Sequence, residues 1–257
     1  MKLLVLGDVV SDGGCDFVRS RLPALKRTYG IDVCIVNGEN SAAGNGITPS
    51  SAEHLFSSGA DMITTGNHVF RRAEINDYLE ENEAVLRPYN MHKSCPGSGT
   101  GRIDMGRYTV GVINLIGNAF QNQSYGNPFD FLDKAIEELS DCRIKVVDFH
   151  AEATGEKGAL AAYADGRVSV LFGTHTHVQT ADPKVFPNGT GFITDIGMCG
   201  AEYSVLGVRA ENVIRSLKTG LPTRFAAADG EMIMDVCIFE IDEKTGKCLS
   251  VTPMRIR

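Results

Sequence analysis

The sequence predicts an α/β fold in which buried strands alternate with helices. Seven short apolar runs, most of them rich in Val, Ile and Leu, end at or near a glycine or a polar turn, which is typical of strands buried on both faces. Stretches with apolar residues at helical spacing lie between them, and this alternation favours an α/β sandwich whose strand-end loops are available for chemistry. The predicted strands are 2–7, 32–38, 61–66, 108–115, 143–150, 167–173 and 191–197.

Six stretches between these runs are predicted to be helices. In the first of them, Phe17, Leu22 and Leu25 recur at roughly helical spacing. The second follows Thr48 and Pro49, which suit an N-cap and a first helical position. The predicted helices are 16–29, 50–58, 71–83, 128–140, 154–164 and 209–219.

The last part of the chain predicts a β-hairpin. Two apolar stretches, 231–241 and 249–256, flank the turn-like segment 242–247 (DEKTGK). A hairpin here predicts an antiparallel edge and hence a mixed sheet. No repeat, low-complexity segment or linker interrupts the sequence, so the prediction is a single domain over 1–257.

Composition and charge exclude several classes of protein. Hydrophobic residues make up 43% of the chain and charged residues 22%, which fits neither a disordered nor a fibrous protein. The net charge is −7 and no Lys/Arg cluster interrupts the acidity. A stable complex with nucleic acid is therefore not expected, although the acidity does not exclude a small phosphorylated substrate.

The sequence also predicts a cytoplasmic protein without a membrane segment. The opening apolar run is too short for a membrane span or for the core of a signal peptide. The seven cysteines are scattered and form no C-x-x-C pair, which argues against a zinc ribbon and a disulfide scaffold. Whether the chain forms a homo-oligomer is left open.

Polar side chains follow five of the predicted strands at their carboxyl ends. That edge is where open α/β sheets place their functional sites. The strand-end residues are Asp8, then Glu39 and Asn40, then Asn67 and His68, then Asp148 and His150, and finally His175 and His177.

Each of these residues taken alone fits a structural role. An Asp or Asn after a strand is commonly a turn residue, and a lone His is commonly a half-buried histidine. However, four of the six histidines in the chain lie at these strand ends, which structural histidines have no reason to do. His175 and His177 also point to the same side of an extended backbone, which suits one or two shared metal ions.

The donor types predict a pair of divalent metal ions. Hard oxygen ligands from Asp8 and Glu39, mixed with imidazoles, suit Mn, Fe or Zn. There are enough ligands for two ions, and Glu39 could bridge them. Two carboxylates against two divalent cations leave a positive site, which would attract a phosphate group and lower the pKa of a bridging water.

Two other groups of residues are interpreted as structural. Asp148, Glu152 and Glu156 could form a paired-carboxylate hydrolase site, but they fit better as a supporting set around His150. The segment 87–90 (RPYN) carries no chemistry that the sequence assigns, and a structural turn is favoured there over a substrate clamp.

Taken in order, the blocks around Asp8, Asn67 with His68, His150 and 173–177 resemble those of the calcineurin-like metallophosphoesterases. More closely, the sequence resembles the YmdB family of bacterial metallophosphoesterases. The stretches that carry this resemblance span most of the chain and are together highly specific. They are VNGENSAAGNGIT (36–48), TTGNHVF (64–70), VDFHAEATGEK (147–157), GTHTHVQTAD (173–182) and ITDIGMCG (193–200).

The resemblance implies a four-layer α/β/β/α sandwich of two mixed sheets that carries a two-metal phosphodiesterase site. His68 would be the general acid. The sequence departs from the wider superfamily in its first block, which reads Asp8-Val9-Val10 instead of Asp-x-His, and Asn40 would replace the lost imidazole. One ion would be held by Asp8, Glu39, Asn40 and His177, and the other by Glu39, Asn67, His150 and His175.

The predicted function is hydrolysis of a small cyclic phosphodiester, and the resemblance points to 2′,3′-cyclic nucleotides such as 2′,3′-cyclic AMP. In the expected mechanism a metal-bridging hydroxide attacks phosphorus while His68 protonates the leaving oxygen. The two ions are expected to be Fe or Mn, with Zn as the alternative. Two other functions stay open: a phosphomonoesterase such as a nucleotidase, and a metal-stabilised regulatory protein with vestigial hydrolysis.

Overall fold

The buried apolar runs pair into two β-sheets that face each other. The computed structural model describes all 257 residues. The strands are β1 (Lys2–Leu6), β2 (Asp8–Val9), β3 (Val33–Asn37), β4 (Met62–Thr64), β5 (Val85–Leu86), β6 (Thr100–Asp104), β7 (Thr109–Ile116), β8 (Ile144–His150), β9 (Val170–Thr174), β10 (Lys184–Val185), β11 (Gly191–Ile193), β12 (Met198–Ala201), β13 (Met232–Ile241) and β14 (Cys248–Ile256). The helices are α1 (Ser11–Tyr29), α2 (Pro49–Ser58), α3 (Ile75–Glu81), α4 (Pro128–Glu138), α5 (Thr154–Ala164) and α6 (Ala210–Thr219).

Both sheets are mixed. In the eight-stranded sheet, β1, β3, β4 and β5 run parallel, while β13 lies antiparallel to β1, β12 and β14. In the six-stranded sheet, β7, β8, β9 and β11 run parallel, and β6 and β10 close its two edges in the antiparallel sense. The predicted hairpin is confirmed as β13 and β14.

The three large apolar clusters lie between four layers. Alternate residues of β1 face opposite sides, because Leu3 and Val5 pack against the second sheet while Leu4 and Leu6 pack against helices. A third cluster joins the second sheet to α4 and α5. Strands of both sheets are therefore buried on both faces, and the predicted four-layer α/β/β/α sandwich is confirmed.

The predicted helix over 71–83 is divided in the structure. A short 3₁₀ turn covers Val69–Arg71, and α3 begins only at Ile75. Between them Arg72 is extended, with φ −118° and ψ 112°, and its guanidinium donates to the carbonyls of Ala43 and Asn45. These bonds hold the loop 43–46 against the segment that follows β4.

Helix α1 begins earlier than predicted, at Ser11 instead of residue 16. Two glycines allow its first turn to lie against the neighbouring sheet. A Cβ on Gly14 would lie 2.5 Å from the carbonyl oxygen of Cys199, closer than a side chain can approach. The N-cap predicted for α2 is present, because the Thr48 hydroxyl accepts a hydrogen bond from the Ser51 backbone N–H.

All seven cysteines are free thiols, in agreement with the absence of a predicted disulfide framework. None of the helices combines the length and the apolar character that crossing a bilayer would require.

Candidate metal centre

Five parallel strands bring the predicted site residues to one place. Strands β1, β3 and β4 of the first sheet lead to Asp8, to Glu39 with Asn40, and to Asn67 with His68. Strands β8 and β9 of the second sheet lead to His150 and to His175 with His177. Since the two sheets face each other, the carboxyl ends of these strands meet at a shared edge of the sandwich.

The eight predicted side chains form a closed series of contacts around one centre. His150 Nε2 lies 3.2 Å from Glu39 Oε1 and 3.0 Å from His175 Nδ1. His177 Nε2 lies 3.5 Å from Asp8 Oδ1 and 3.3 Å from Asn40 Nδ2. Asn67 Oδ1 lies 3.1 Å from His150 Nε2, and His68 Nδ1 lies 3.4 Å from Glu39 Oε1.

A buried hydrogen-bond network fixes the ring of His150. The Thr174 hydroxyl donates to Asp148 Oδ1 over 2.7 Å, so its oxygen accepts from His150 Nδ1 at 2.8 Å. Asp148 also accepts from Asn37 and Thr64. Burial lowers the pKa of His150, but Glu39 outweighs burial and raises this pKa to about 9. With Nδ1 held by Thr174, Nε2 is the ring atom that faces Glu39, and it is the atom that a metal ion would bind in place of a proton.

The loop that carries His175 and His177 is held in an unusual backbone conformation. Both histidines have positive φ, 99° and 62° respectively, which is strained for residues other than glycine. A fully buried ion pair supports the loop: Lys157 Nζ lies 2.7 Å from Asp195 Oδ2 and donates to the Thr174 carbonyl at 2.8 Å. Asp195 also accepts from the backbone N–H of Thr176.

The ring of His177 is oriented from the opposite side of the centre. Its Nδ1 lies 3.1 Å from the Leu206 carbonyl oxygen and therefore carries the proton that is donated to it. Its Nε2 faces Asp8 Oδ1 at 3.5 Å. His150 and His177 thus both direct Nε2, and not Nδ1, toward the centre.

Burial and mutual charge set the protonation of the centre. Burial raises the pKa of the Glu39 carboxyl, but His150 and His68 outweigh it and hold this pKa well below its ordinary range. Burial and the neighbouring His150 lower the pKa of His175 to about 4, so His175 is neutral near pH 7. Burial raises the pKa of Asp148 to about 6.

These donors fit divalent metal ions. Donor atoms of Glu39, His150 and His175 all lie within 4.8 Å of one another. Asp8 Oδ1 is buried and has no hydrogen-bond partner, although a buried carboxylate oxygen normally has one. A cation at the centre would satisfy that oxygen, and the mixture of carboxylate, amide and imidazole suits Fe, Mn or Zn.

Asn40 is placed differently from the other donors. Its amide nitrogen, and not its oxygen, faces Glu39 Oε1 at 3.1 Å and His177 Nε2 at 3.3 Å. Its oxygen lies 2.9 Å from His68 Nδ1. For Asn40 to be an oxygen ligand, as the sequence predicts, the amide would have to take the opposite orientation.

The sequence model of the YmdB-like protein family matches residues 4–254. The chain belongs to the YmdB-like family. A 2′,3′-cyclic-nucleotide 2′-phosphodiesterase of Bacillus subtilis is 41% identical over 98% of this chain and 95% of its own length. The family prediction made from the sequence is therefore confirmed.

Solved structures share the fold of this chain. A structure from Thermus thermophilus has a TM-score of 0.94 at 36% identity and covers 100% of this chain and 99% of its own. A phosphatase from Mycoplasma pneumoniae has a TM-score of 0.94 at 34% identity and covers 100% and 93%. The calcineurin-like phosphoesterase YfkN of Bacillus subtilis, at 12% identity, shares the fold, with a TM-score of 0.57 and coverage of 99% and 90%.

The paired-carboxylate site considered from the sequence would consist of Asp148, Glu152 and Glu156. In this YmdB-like chain the three residues lie in separate surroundings. Asp148 supports His150 through Thr174, as described above. Glu152 Oε2 lies 3.1 Å from His175 Nε2, and Glu156 accepts the backbone N–H groups of Asn118 and Ala119. The structure therefore gives them distinct supporting roles and no paired-carboxylate arrangement.

Sequence reasoning missed the residues that hold the His175 loop. Lys157 and Asp195 lie inside two of the family-like stretches, yet neither received a role. A lysine in the middle of an apolar helix face, with Leu160 and Ala161 following it, was the available signal, since a buried lysine requires a partner.

Proposed function

We propose that this YmdB-like protein is a dinuclear metal-dependent phosphodiesterase that hydrolyses 2′,3′-cyclic nucleotides such as 2′,3′-cyclic AMP. The observation that carries the proposal is the closed series of eight side chains, seven proposed ligands and His68, at the shared edge of the two sheets. The name of the Bacillus subtilis relative, 41% identical over almost the whole chain, supports the substrate.

Two ions would be held by the residues predicted from the sequence. Asp8, Glu39, Asn40 and His177 would hold one, and Glu39, Asn67, His150 and His175 the other, with Fe or Mn favoured over Zn. Such ions supply Lewis acidity, lower the pKa of water and neutralise charge on phosphorus. Thr174 and Leu206 keep the Nδ1 protons of His150 and His177 away from the centre, so that both Nε2 atoms can bind.

His68 is the proposed general acid. Its backbone N–H donates to Glu39 Oε2 at 3.1 Å, and its Nδ1 faces the side-chain amide of Asn40, which leaves Nε2 to carry a transferable proton. A water oxygen forms a bond to phosphorus and the bond from phosphorus to the ribose 2′ oxygen breaks. His68 gives its proton to that oxygen, and the product is a 3′-phosphomonoester.

A phosphomonoesterase is the second candidate, because the similar Mycoplasma pneumoniae protein is named a phosphatase. The test is to incubate metal-loaded protein with 2′,3′-cyclic AMP, 3′,5′-cyclic AMP and nucleoside monophosphates and to follow the products by chromatography. Fastest turnover of the 2′,3′-cyclic compound, ending at the 3′-monophosphate, supports the proposal. Release of inorganic phosphate would favour the phosphomonoesterase. Two bound ions without turnover of any ester would favour a regulatory protein.

A cytoplasmic location is part of the proposal. It is supported by the seven free cysteines, since thiols that stay reduced are typical of that compartment. The substrate is a small phosphodiester, and neither a membrane nor a stable nucleic acid complex is required for its hydrolysis.

A further inference from the structure

A large cleft opens beside the metal centre. Its volume is about 1260 Å³, and Asn67, one of the proposed ligands, forms part of its wall. The other walls come from the segment after β4, the segment 87–95 after β5, and the loop 121–126. A substrate whose phosphate lies at the metal centre would therefore extend into this cleft.

The cleft is positively charged although the protein as a whole carries a net charge of −7. Arg71, Arg87 and Lys93 line it, and no Asp or Glu does. None of these side chains forms an ion pair with a carboxylate elsewhere in the chain. The cleft thus offers unpaired cationic groups to a ligand that brings its own negative charge.

Arg87 is the most deeply buried of these cationic side chains. Arg87 is only 7% exposed, yet its Nε has no hydrogen-bond partner. Its Nη1 donates only to the carbonyl of Pro88, at 2.9 Å. Burial lowers the pKa of this guanidinium, although an arginine keeps its charge in proteins. Glu80 lies near enough to favour the charged form, but no carboxylate forms a direct ion pair with Arg87. A buried cation without a direct partner is costly, so a position of this kind is expected to receive an anion from the ligand.

A cyclic mononucleotide would leave these groups unused. Its one negative charge is the cyclic phosphate, which the metal centre already receives, and its nucleoside is neutral. The cleft is also larger than the roughly 300–1,000 Å³ that pockets for single small ligands occupy. The cleft therefore has the volume and the cationic side chains to bind a second phosphate, together with the chemical group bonded to that phosphate.

We propose that the cleft binds a second phosphate of the substrate, carried on the 5′ oxygen of the ribose that bears the cyclic phosphate, and that Arg87 is its principal contact. This inference rests on the proposed function. Arg71 and Lys93 add charge at the rim, and the aromatic rings of Phe70 and Tyr125 offer faces on which a base can stack. Segment 87–90 is then a specificity-determining element as well as a turn.

The second phosphate has two sources that share this chemistry. It is either a terminal 5′-phosphate or the phosphodiester that joins a preceding nucleotide. The kinetic test compares 2′,3′-cyclic AMP, its 5′-phosphorylated form, and the dinucleotide adenylyl-adenosine with a 2′,3′-cyclic phosphate end. We expect kcat/KM to rise about tenfold or more for at least one of the two substrates that carry a second phosphate, which corresponds to about 1.4 kcal/mol.

Two variants assign the effect to the cleft. Arg87→Gln should remove most of this preference and Lys93→Gln a measurable part of it, while both variants leave turnover of 2′,3′-cyclic AMP close to the wild-type value. Lys93 is exposed, so its variant tests the proposal even if Arg87→Gln fails to fold. Arg167→Gln is the matched control, because it removes one positive charge at Asp133, outside the cleft, and should keep the full preference.

A binding measurement separates this inference from the proposed reaction. Calorimetry on the metal-loaded wild-type protein should show that adenosine 3′,5′-bisphosphate binds about tenfold more tightly than adenosine 3′-phosphate. In Arg87→Gln this difference in affinity should disappear. Equal affinity for the two nucleotides and equal kcat/KM for all three substrates would overturn the inference. Absence of turnover alongside a retained bisphosphate preference would overturn the proposed reaction and leave the phosphate site standing.

Discussion

At the level of single residues, His68 differs from its neighbours because it contacts the centre from outside the proposed ligand set. We expect His68→Ala to keep both metal ions and the fold but to lose about 10²–10⁴-fold in kcat. The loss should shrink for a diester with a p-nitrophenolate leaving group, which needs no proton. Steady-state kinetics on both substrate types, with metal analysis, test this, and His54→Ala on α2 is the control. Loss of metal from His68→Ala would identify it as a ligand instead.

Glu39 is the one carboxylate that both proposed ions share. It lies against His68 on one side and His150 on the other. Glu39→Gln keeps the shape of the side chain but removes the charge, so both ions should bind more weakly. Metal analysis after gel filtration should then find fewer than two ions per chain. Glu152→Gln is the control, because Glu152 contacts only His175 among the proposed ligands. That variant should still retain two ions per chain.

The positions of these residues could be predicted because each follows an apolar run directly. Asp8, Glu39 and His150 need only the register of one strand to reach the sheet edge, and the parallel order brings the edges together. The orientation of the Asn40 amide and the left-handed conformation of His175 and His177 could not be predicted. The conformation of the two histidines depends on contacts of their loop with Leu206 and Asp195. The orientation of the amide depends on His68 and His177, which only the fold brings to Asn40.

At the level of elements, the loop after β9 depends on the Lys157–Asp195 pair from α5 and the segment after β11. Lys157→Met would leave the Asp195 carboxylate buried without its partner, which typically costs about 3–5 kcal/mol of unfolding free energy. Metal affinity should fall by about 10- to 100-fold as the loop loses support. Urea denaturation and metal titration measure both.

The matched control for that variant is Lys26→Met. Lys26 forms a similar pair with Asp61, but both side chains are partly exposed to solvent. Its removal should change the unfolding free energy by no more than about 1 kcal/mol and leave metal affinity unchanged. Equal losses from the two lysine variants would contradict the supporting role of Lys157.

Helix α6 contrasts with the other helices because none of its residues is buried. Leu217 is 83% exposed, whereas Leu132 of α4 is fully buried in the cluster under the second sheet. Leu217→Ser should therefore change the unfolding free energy by less than about 0.5 kcal/mol, and Leu132→Ala should cost about 2–5 kcal/mol. Chemical denaturation of the two variants tests the difference. A large loss from Leu217→Ser would mean that α6 packs against something in solution.

The long strands and most helices could be predicted because hydrophobic periodicity determines them. Strands β5 and β10 are two residues each, too short to produce a pattern. The break before α3 was missed because it arises from Arg72, whose bonds to the loop 43–46 favour an extended backbone over a continued helix. These features therefore depend on tertiary contacts, which the helix and strand preferences of a local stretch of sequence do not contain.

At the level of the whole molecule, metal binding should stabilise the fold. The centre joins the two sheets, and in the absence of a cation it leaves Asp8 Oδ1 buried without a partner. Adding Mn²⁺ at about 100 times its dissociation constant should contribute about 2.7 kcal/mol per site. Differential scanning calorimetry with and without a chelator tests this, and an unchanged Tm would argue against metal binding.

The hydrogen bond from His177 to Leu206 has a consequence beyond the centre. Leu206 belongs to the surface segment 203–228, in which only Gly207 and Ala228 are buried, so little apolar contact ties this segment to the sandwich. A cation on Nε2 would immobilise the His177 ring and, through Nδ1, the turn at Leu206. Metal binding at the centre should therefore slow both proteolytic cleavage and amide hydrogen exchange within 203–228, a segment that supplies none of the proposed ligands.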